Sequence, residues 1–382
     1  MVSKVGERCV GCGSCVSACP AQCLTLRYKN DGFLYPILDE ARCTKCGLCI
    51  QSCPVLTPQE HIEYEKKVFA IQAKDEGVVE KSSSGGAFYL LASKIIKDGG
   101  YVCGVEVDKD SKIRHTIVAD LEGLERLLGS KYVQSEIGEI YTSVQALLKS
   151  EKKVLFSGTP CQVSGLLSFL GKKYDNLLTV DVICHGVSSP HIWRRYIEYQ
   201  ENEHKSKVVK VSFRNKTNGW KNYGMQLSFG NGESYFNPMR NDAFLGQFIE
   251  NLCLRETCYA CEFKGYSRNS DITLGDFWGK DESYPELKGD KGHSLVIVNT
   301  EKGKAVIEAN TDLNEGYEVS IEKVLQHNNA YFYSVEQSPY RNRYIKSVSR
   351  QPFNKATKKY LRIISFKRRV RYYFQKIKSL LK

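Results

Sequence analysis

Two cysteine runs near the N-terminus, Cys9-x-x-Cys12-x-x-Cys15-x-x-x-Cys19-Pro20 and Cys43-x-x-Cys46-x-x-Cys49-x-x-x-Cys53-Pro54, repeat one spacing. Three thiolates at i, i+3 and i+6 sit on a tight loop and reach three irons of one 4Fe-4S cube. The fourth, ahead of a proline, reaches the other cube. The spacing therefore assigns Cys9, Cys12, Cys15 and Cys53 to one cluster, and Cys43, Cys46, Cys49 and Cys19 to a second. Gly11, Gly13 and Gly47 let the backbone close on the sulfides without a Cβ clash. Zinc knuckles or a disulfide framework are the plainer alternative. Zinc, however, takes four thiolates per site and has no use for an exchanged fourth ligand. The chemistry expected is single-electron transfer.

Seven further cysteines lie outside these runs, and only Cys258-x-x-Cys261 has ligand spacing of its own. Cys161 opens a helix after Gly158-Thr159-Pro160, and Cys184 ends a strand before His185-Gly186. Strand-end loops converge at one edge of an α/β sheet, where ligands bind. Cys161, Cys184, Cys258 and Cys261 could thus complete a third cubane. Equally, Cys161 and Cys184 could be small buried hydrophobes. Cys23 and Cys103 sit in apolar strand contexts and read as core, and Cys253 is the spare candidate ligand. His185 reads as a structural histidine.

The elements that must position these groups fall into three segments: a cluster domain over 1–57, an α/β domain over 68–330, and a basic tail over 331–382. Residues 24–39 supply short strands and a turn at Asn30-Asp31-Gly32, and Thr57 to Lys67 reads as a linker. Strands are expected at 68–73, 101–107, 154–156, 177–184, 272–274 and 295–299, with a hairpin around Gly230-Asn231-Gly232. Helices are expected at 87–97, 121–128, 138–149 and 241–252. The class is α+β: a bacterial-type two-cube ferredoxin domain, then a mixed α/β domain with a partly parallel sheet, then a basic amphipathic helix.

Bulk composition narrows the setting. At 382 residues and 42% apolar, the chain can bury an ordinary core, and no run of about eighteen apolar residues exists to span a bilayer. The start lacks an apolar h-region, and thiolates kept for iron need a reducing compartment, so the cytoplasm is expected. The net charge of +12 is concentrated in residues 350–382, which hold twelve Lys or Arg and no acid, leaving 43 basic and 43 acidic residues elsewhere. In that tail Ile363, Phe366, Val370, Tyr373, Ile377 and Leu380 make a helical apolar stripe. Such a helix suits an anionic membrane surface, at the inner face of the membrane for a cytoplasmic chain, or packs on the protein's own body or a partner helix. No fold motif accompanies the charge, so nucleic acid is not expected as a partner.

The ordered motifs Ser83-Ser84-Gly85-Gly86, Gly129-Ser130-Lys131-Tyr132, Gly158-Thr159-Pro160-Cys161-Gln162, Cys184-His185-Gly186 and Asp271-Ile272-Thr273-Leu274-Gly275-Asp276 follow the cysteine-rich start. Together they resemble the coenzyme F420 hydrogenase/dehydrogenase beta-subunit family over roughly residues 1–300. The resemblance implies an iron–sulfur flavoprotein that passes electrons between clusters, a flavin and a two-electron substrate, either the deazaflavin coenzyme or another small organic molecule. Some relatives occur beside polysaccharide-synthesis genes. It implies FAD, with FMN the alternative, and makes the Cys161, Cys184, Cys258 and Cys261 set the third cluster's ligands.

Candidate flavin contacts are Ser84, Gly85 and Gly86 at a helix start, where N–H groups and the dipole suit a phosphate. Lys131 could meet a phosphate or the reduced ring, Tyr132 could stack, and Thr159 and Gln162 could bond the isoalloxazine. Each has a plainer reading, namely a helix cap, a solvated lysine and loop polar groups. Asp276 could instead belong to a turn before Phe277. No Gly-x-Gly-x-x-Gly after a strand and no Walker-type loop are present, which favours ferredoxin, another redox protein or a deazaflavin over a nicotinamide as partner. A carrier subunit with no substrate of its own, and a structural metal module, are the rival expectations. No particular catalytic residue is indicated.

Overall fold

The computed structural model describes residues 2–59, 64–287, 289–310, 313 and 316–380. Part of the expected linker, residues 60–63, lies outside them. The N-terminal domain is built on a hairpin of β1 (Leu24–Tyr28) and β2 (Leu34–Leu38), closed at Asn30-Asp31-Gly32 as expected, with Asp31 accepting from the Phe33 amide. Two one-turn helices flank it, α1 (Ser14–Ser17) and α2 (Leu48–Gln51). Each is entered through a left-handed glycine, Gly13 at φ 80° and Gly47 at φ 81°, and each leaves at φ −82°, ψ −4°. The cysteine repeat in the sequence is therefore a repeat of backbone conformation. Only glycine enters these helices without strain.

The larger domain is organised by an eight-stranded sheet. Its strands are β3 (Lys67–Ile71), β4 (Tyr101–Val107), β5 (Ile113–Val118), β6 (Val154–Ser157), β7 (Leu177–Val182), β11 (Ile272–Asp276), β12 (Ser294–Val298) and β13 (Tyr317–Glu318). They lie in the order β13-β3-β12-β11-β7-β6-β4-β5. Strands β4, β6, β7 and β11 are parallel to their neighbours in that series, and the flanks are antiparallel. Leu295 to Val298 are wholly buried, because both faces of the sheet are covered and a central strand then reads as one apolar run. Helices α3 (Glu76–Lys81), α4 (Ala87–Lys97), α5 (Leu121–Leu127), α6 (Ile140–Lys149) and α7 (Pro160–Leu170) cover it. A second, antiparallel sheet of β8 (Val208–Asn215), β9 (Gly224–Phe229) and β10 (Ser234–Pro238) packs with α8 (Pro190–His204) and α9 (Ala243–Ile249).

Where boundaries differ from expectation, local chemistry explains the difference. Asp242 accepts from the amides of Phe244 and Leu245, so α9 starts after this cap and not at 241. Asp276 is the last residue of β11, paired across to Ser294, and does not belong to a separate turn. The tail expected from 331 is continuous with the body over most of its length. In helices Arg341–Arg350 and Phe353–Leu380, the side chains of Tyr344, Val348, Phe353, Ala356 and Tyr360 join the core formed by α8, α9 and β8–β10. From Ser365 to Val370 every residue of the C-terminal helix is exposed, Phe366 among them at 68%. Among the described residues no helix is long and apolar enough to cross a membrane.

The two domains meet where α1 lies against α7. A side chain at Gly165 would put its Cβ 2.8 Å from the Cβ of Cys12 and 2.9 Å from the Tyr141 hydroxyl, so glycine allows this contact. Gly165→Val is expected to destabilise the chain by about 1–3 kcal/mol through overpacking. Anaerobic chemical denaturation measures it, and an unchanged midpoint would show that the junction is loosely packed.

Candidate functional site

The ferredoxin-type loops bring the two runs together across the sequence. Cys9, Cys12, Cys15 and Cys53 line one small space, walled by Val2, Val5, Val10, Leu26, Pro36 and Val55. This is the exchanged set that the spacing assigns. Burial pushes the Cys12 thiol up to about 12 and that of Cys15 upward too. These thiols stay protonated until a bound metal displaces the proton. The other set is nearer the surface: Cys43 and Cys49 are half-buried and Cys46 is exposed.

Cys23, expected to be plain core, is buried, but its Sγ lies 3.3 Å from that of Cys19. It therefore adjoins the second set, a contact that its apolar strand context concealed. Cys103 is core as expected, at 0% exposure.

Cys161, Cys184, Cys258 and Cys261 line a single space at the carboxyl edge of the parallel strands. Cys161 comes from the first turn of α7, Cys184 from just beyond β7, and Cys258 and Cys261 from the loop after α9. Burial raises the Cys161 thiol, that of Cys184 to about 11 and that of Cys258 to about 12. Arg255, Lys264 and Arg268 line the same space, among the described residues no carboxylate does, and Arg268 is ion-paired with Asp181 at 3.3 Å. Four thiols ringed by cations fit an anionic iron–sulfur group and not a framework of disulfides. Cys253, the spare candidate, is not part of this ring. It is wholly buried in the core of the second sheet and its Sγ lies 3.3 Å from the Ser188 hydroxyl. Among the described residues no three or more His, Cys, Asp or Glu side chains converge on a single-ion position.

Beside this ring opens a cavity of about 510 Å³, within the usual range for a ligand site. The ends of β6, β7 and β11 form its floor, through Ser157, Val182 and Leu274 to Asp276. Of the candidate flavin contacts, Ser84, Gly86, Lys131, Tyr132, Thr159 and Gln162 all line it. Gly85 sits behind them, where a Cβ would lie 2.1 Å from the Ile71 carbonyl. Gly86, at φ 94°, precedes α4 and gives no cap of its own; the Ala87 amide donates to the Ser294 hydroxyl at 3.3 Å, and Gly86, Ala87 and Phe88 line the cavity.

The other candidates are engaged differently from expectation. Lys131 donates to the carbonyls of Arg126, Leu127 and Leu128 at the end of α5, and burial brings its pKa down to about 7. Tyr132 already stacks on Phe248 at 4.7 Å, so one face of its ring is taken. Thr159 and Gln162 form the capping box of α7, and Gln162 also donates to the Ser135 hydroxyl. His185 meets Asn251 Oδ1 at 2.8 Å, and burial lowers its pKa.

Arg255 and Gln134 were missed from the sequence. Arg255 is 1% exposed and Gln134 7%, and together they join the N-terminal loop to the third thiol ring. A basic residue three places before Cys258 is visible in the chain, but nothing local tells where so long a side chain reaches.

Residues 8–56 match the family model of the 4Fe-4S dicluster domain, and residues 151–321 match that of the C-terminal part of the coenzyme F420 hydrogenase/dehydrogenase beta subunit. No curated protein matches the chain. Among solved structures, the chain is similar to one in the xenon-derivatised F420-reducing NiFe hydrogenase complex from Methanosarcina barkeri, at 17% identity and a TM-score of 0.45, covering 79% of this chain and 92% of that one. The chain thus carries an N-terminal 4Fe-4S dicluster domain and, over residues 151–321, the C-terminal domain of the coenzyme F420 hydrogenase/dehydrogenase beta subunit.

Proposed function

We propose that this chain is a cytoplasmic iron–sulfur flavoprotein oxidoreductase with three cubes and one flavin. Cys9, Cys12, Cys15 and Cys53 hold the first cube, Cys19, Cys43, Cys46 and Cys49 the second, and Cys161, Cys184, Cys258 and Cys261 the third. The large cavity takes the flavin, FAD before FMN. The observation that carries this reading is a shared wall: Thr159, Gln162, Cys184, His185, Gly186 and Val187 line both the cavity and the third thiol ring. Cubes exchange electrons singly and a flavin exchanges one or two, so the pairing serves a two-electron substrate from one-electron partners.

The chain's own residues bind and orient. The first turn of α4 after Gly86, whose Ala87 amide is taken by the Ser294 hydroxyl, offers its remaining amides and the positive dipole end to a phosphate. The Thr159–Gln162 capping box holds the start of α7 rigid beside Cys161. Leu127, Val133, Phe248 and Leu274 give the cavity apolar walls that exclude water from a ring system. The substrate is a deazaflavin of the F420 type or another small organic molecule, and the redox partner is a ferredoxin or similar protein. That partner docks at the Cys43–Cys49 loop, where Cys46 is exposed. The basic outer part of the C-terminal helix suits an anionic membrane surface.

Three outcomes are expected. Cys258→Ala, isolated without oxygen, should lose about one third of its iron and sulfide while keeping the paramagnetic signals of the N-terminal pair; unchanged iron would remove the third cube. Gly86→Val places a side chain at φ +94° and within 3.0 Å of Val78. It should release flavin, read by absorbance near about 450 nm, with iron retained. A wild-type chain holding iron but no flavin would instead mark a carrier subunit. Deleting residues 365–382, which spares the core contacts of Tyr360, Leu361 and Ile364, should abolish salt-sensitive binding to phosphatidylserine vesicles. Equal binding by both forms would end the membrane assignment.

A further inference from the structure

Arg255 is a cation in the interior, and among the described residues no carboxylate lies within ion-pair distance of it. Its Nε donates to the Cys9 carbonyl at 2.8 Å, one Nη to Gln134 Oε1 at 2.8 Å and the other to the Leu34 carbonyl at 3.1 Å. That second Nη also points at the Cys9 Sγ, 3.7 Å away. The guanidinium lies 4.2 Å from the ring centre of Tyr35 and 5.4 Å from that of Phe33. A Cβ on Gly11 would fall 2.7 Å from its Nη1, so the glycine of the first cysteine loop makes room for this side chain. Neutral carbonyls and rings do not balance a buried charge, and one left unanswered is costly. The polar neighbour that can become negative is the thiol of Cys9.

The backbone of the same residue belongs to the third ring. The Cys258 amide donates to the Arg255 carbonyl at 2.9 Å, and the Arg255 amide donates to that of Val187 at 3.1 Å. One residue therefore connects Cys258 to Cys9 through two hydrogen bonds and its own side chain. Gln134 fastens the connection by donating to the Val10 carbonyl at 3.0 Å.

We propose that Arg255 is a positioning residue. Its guanidinium supplies the counter-charge for the anionic centre on Cys9, Cys12, Cys15 and Cys53, and its backbone fixes that centre at a set separation from the centre on Cys161, Cys184, Cys258 and Cys261. This rests on the cysteine assignments proposed above. A nearby fixed cation stabilises the more negative, reduced state, so it raises the midpoint potential. The inference also orders the sites: the first set is the inner one, next to the third ring, and the set with exposed Cys46 is the outer one.

The test uses the anaerobically isolated full chain as wild type, Arg255→Gln and Arg255→Lys. Iron, sulfide and an electron-paramagnetic-resonance redox titration are read for each. In Arg255→Gln the midpoint of one N-terminal centre should move to more negative potential, or that centre should be lost, and spin coupling to the third centre should weaken. Arg255→Lys, which keeps the charge, should hold that centre near its wild-type potential. Wild-type potentials in both variants would overturn the inference. So would equal disturbance in both, because the donor fork and not the charge would then be what matters. A wild-type chain without reducible centres would instead sink the cysteine assignments themselves.

Discussion

The charge balance at the domain junction organises much of this molecule. Arg255 is buried between two groups of thiols with carbonyls, an amide and aromatic rings for company, and Lys264 and Arg268 line the same interior space. Arg268 is answered by buried Asp181 at 3.3 Å, whereas Arg255 has no carboxylate partner among the described residues, and a buried positive group is costly until negative charge answers it. Thiols whose protons are held tightly by burial do not supply that charge unaided. The iron–sulfur cubes proposed for these thiols would supply it, since a ligated cube carries net negative charge. On that proposal, cofactor binding and folding would be thermodynamically coupled.

Steric detail reinforces that coupling. Gly11 clears the guanidinium, and Gly165 lets the cysteine loop touch the helix that carries Cys161. Gly13 and Gly47 allow the two short helices to be entered by left-handed backbone. Gly11, Gly13 and Gly47 shape the cysteine loops, and Gly165 lets the first of them pack on α7. The parallel strands contribute the rest. β6, β7 and β11 end side by side, and a ligand cavity forms where α/β sheets commonly place one.

Much of this was legible in the sequence, unevenly. The approach of Cys53 to Cys9, Cys12 and Cys15 was legible in the repeated spacing, because that spacing is local. The strands feeding the cavity were visible as apolar runs. The third thiol ring was only half legible: Cys258 and Cys261 have spacing, whereas Cys161 and Cys184 are brought to them by topology alone. Cys253 illustrates the difficulty, since it stands closer in sequence to Cys258 than Cys184 does, yet faces the core. Lys131 and Tyr132 reach the cavity as expected, but their polar and aromatic surfaces are committed to backbone carbonyls and to Phe248. Arg255 was invisible because its role depends on a side chain crossing between domains. The C-terminal helix read as a separate tail because its basic residues mask an apolar side that Phe353 and Tyr360 insert into the body.

The contrast in depth between the two N-terminal thiol sets has a chemical consequence. Cys9, Cys12, Cys15 and Cys53 are all buried, while Cys46 stands in solvent on a loop whose neighbours are half covered. Dissolved oxygen or peroxide arriving from outside reaches this loop first, and sulfur there is oxidised while the interior set stays shielded. The rim thus acts as a sacrificial border, and air-damaged molecules should retain their innermost sulfur chemistry after the periphery has corroded.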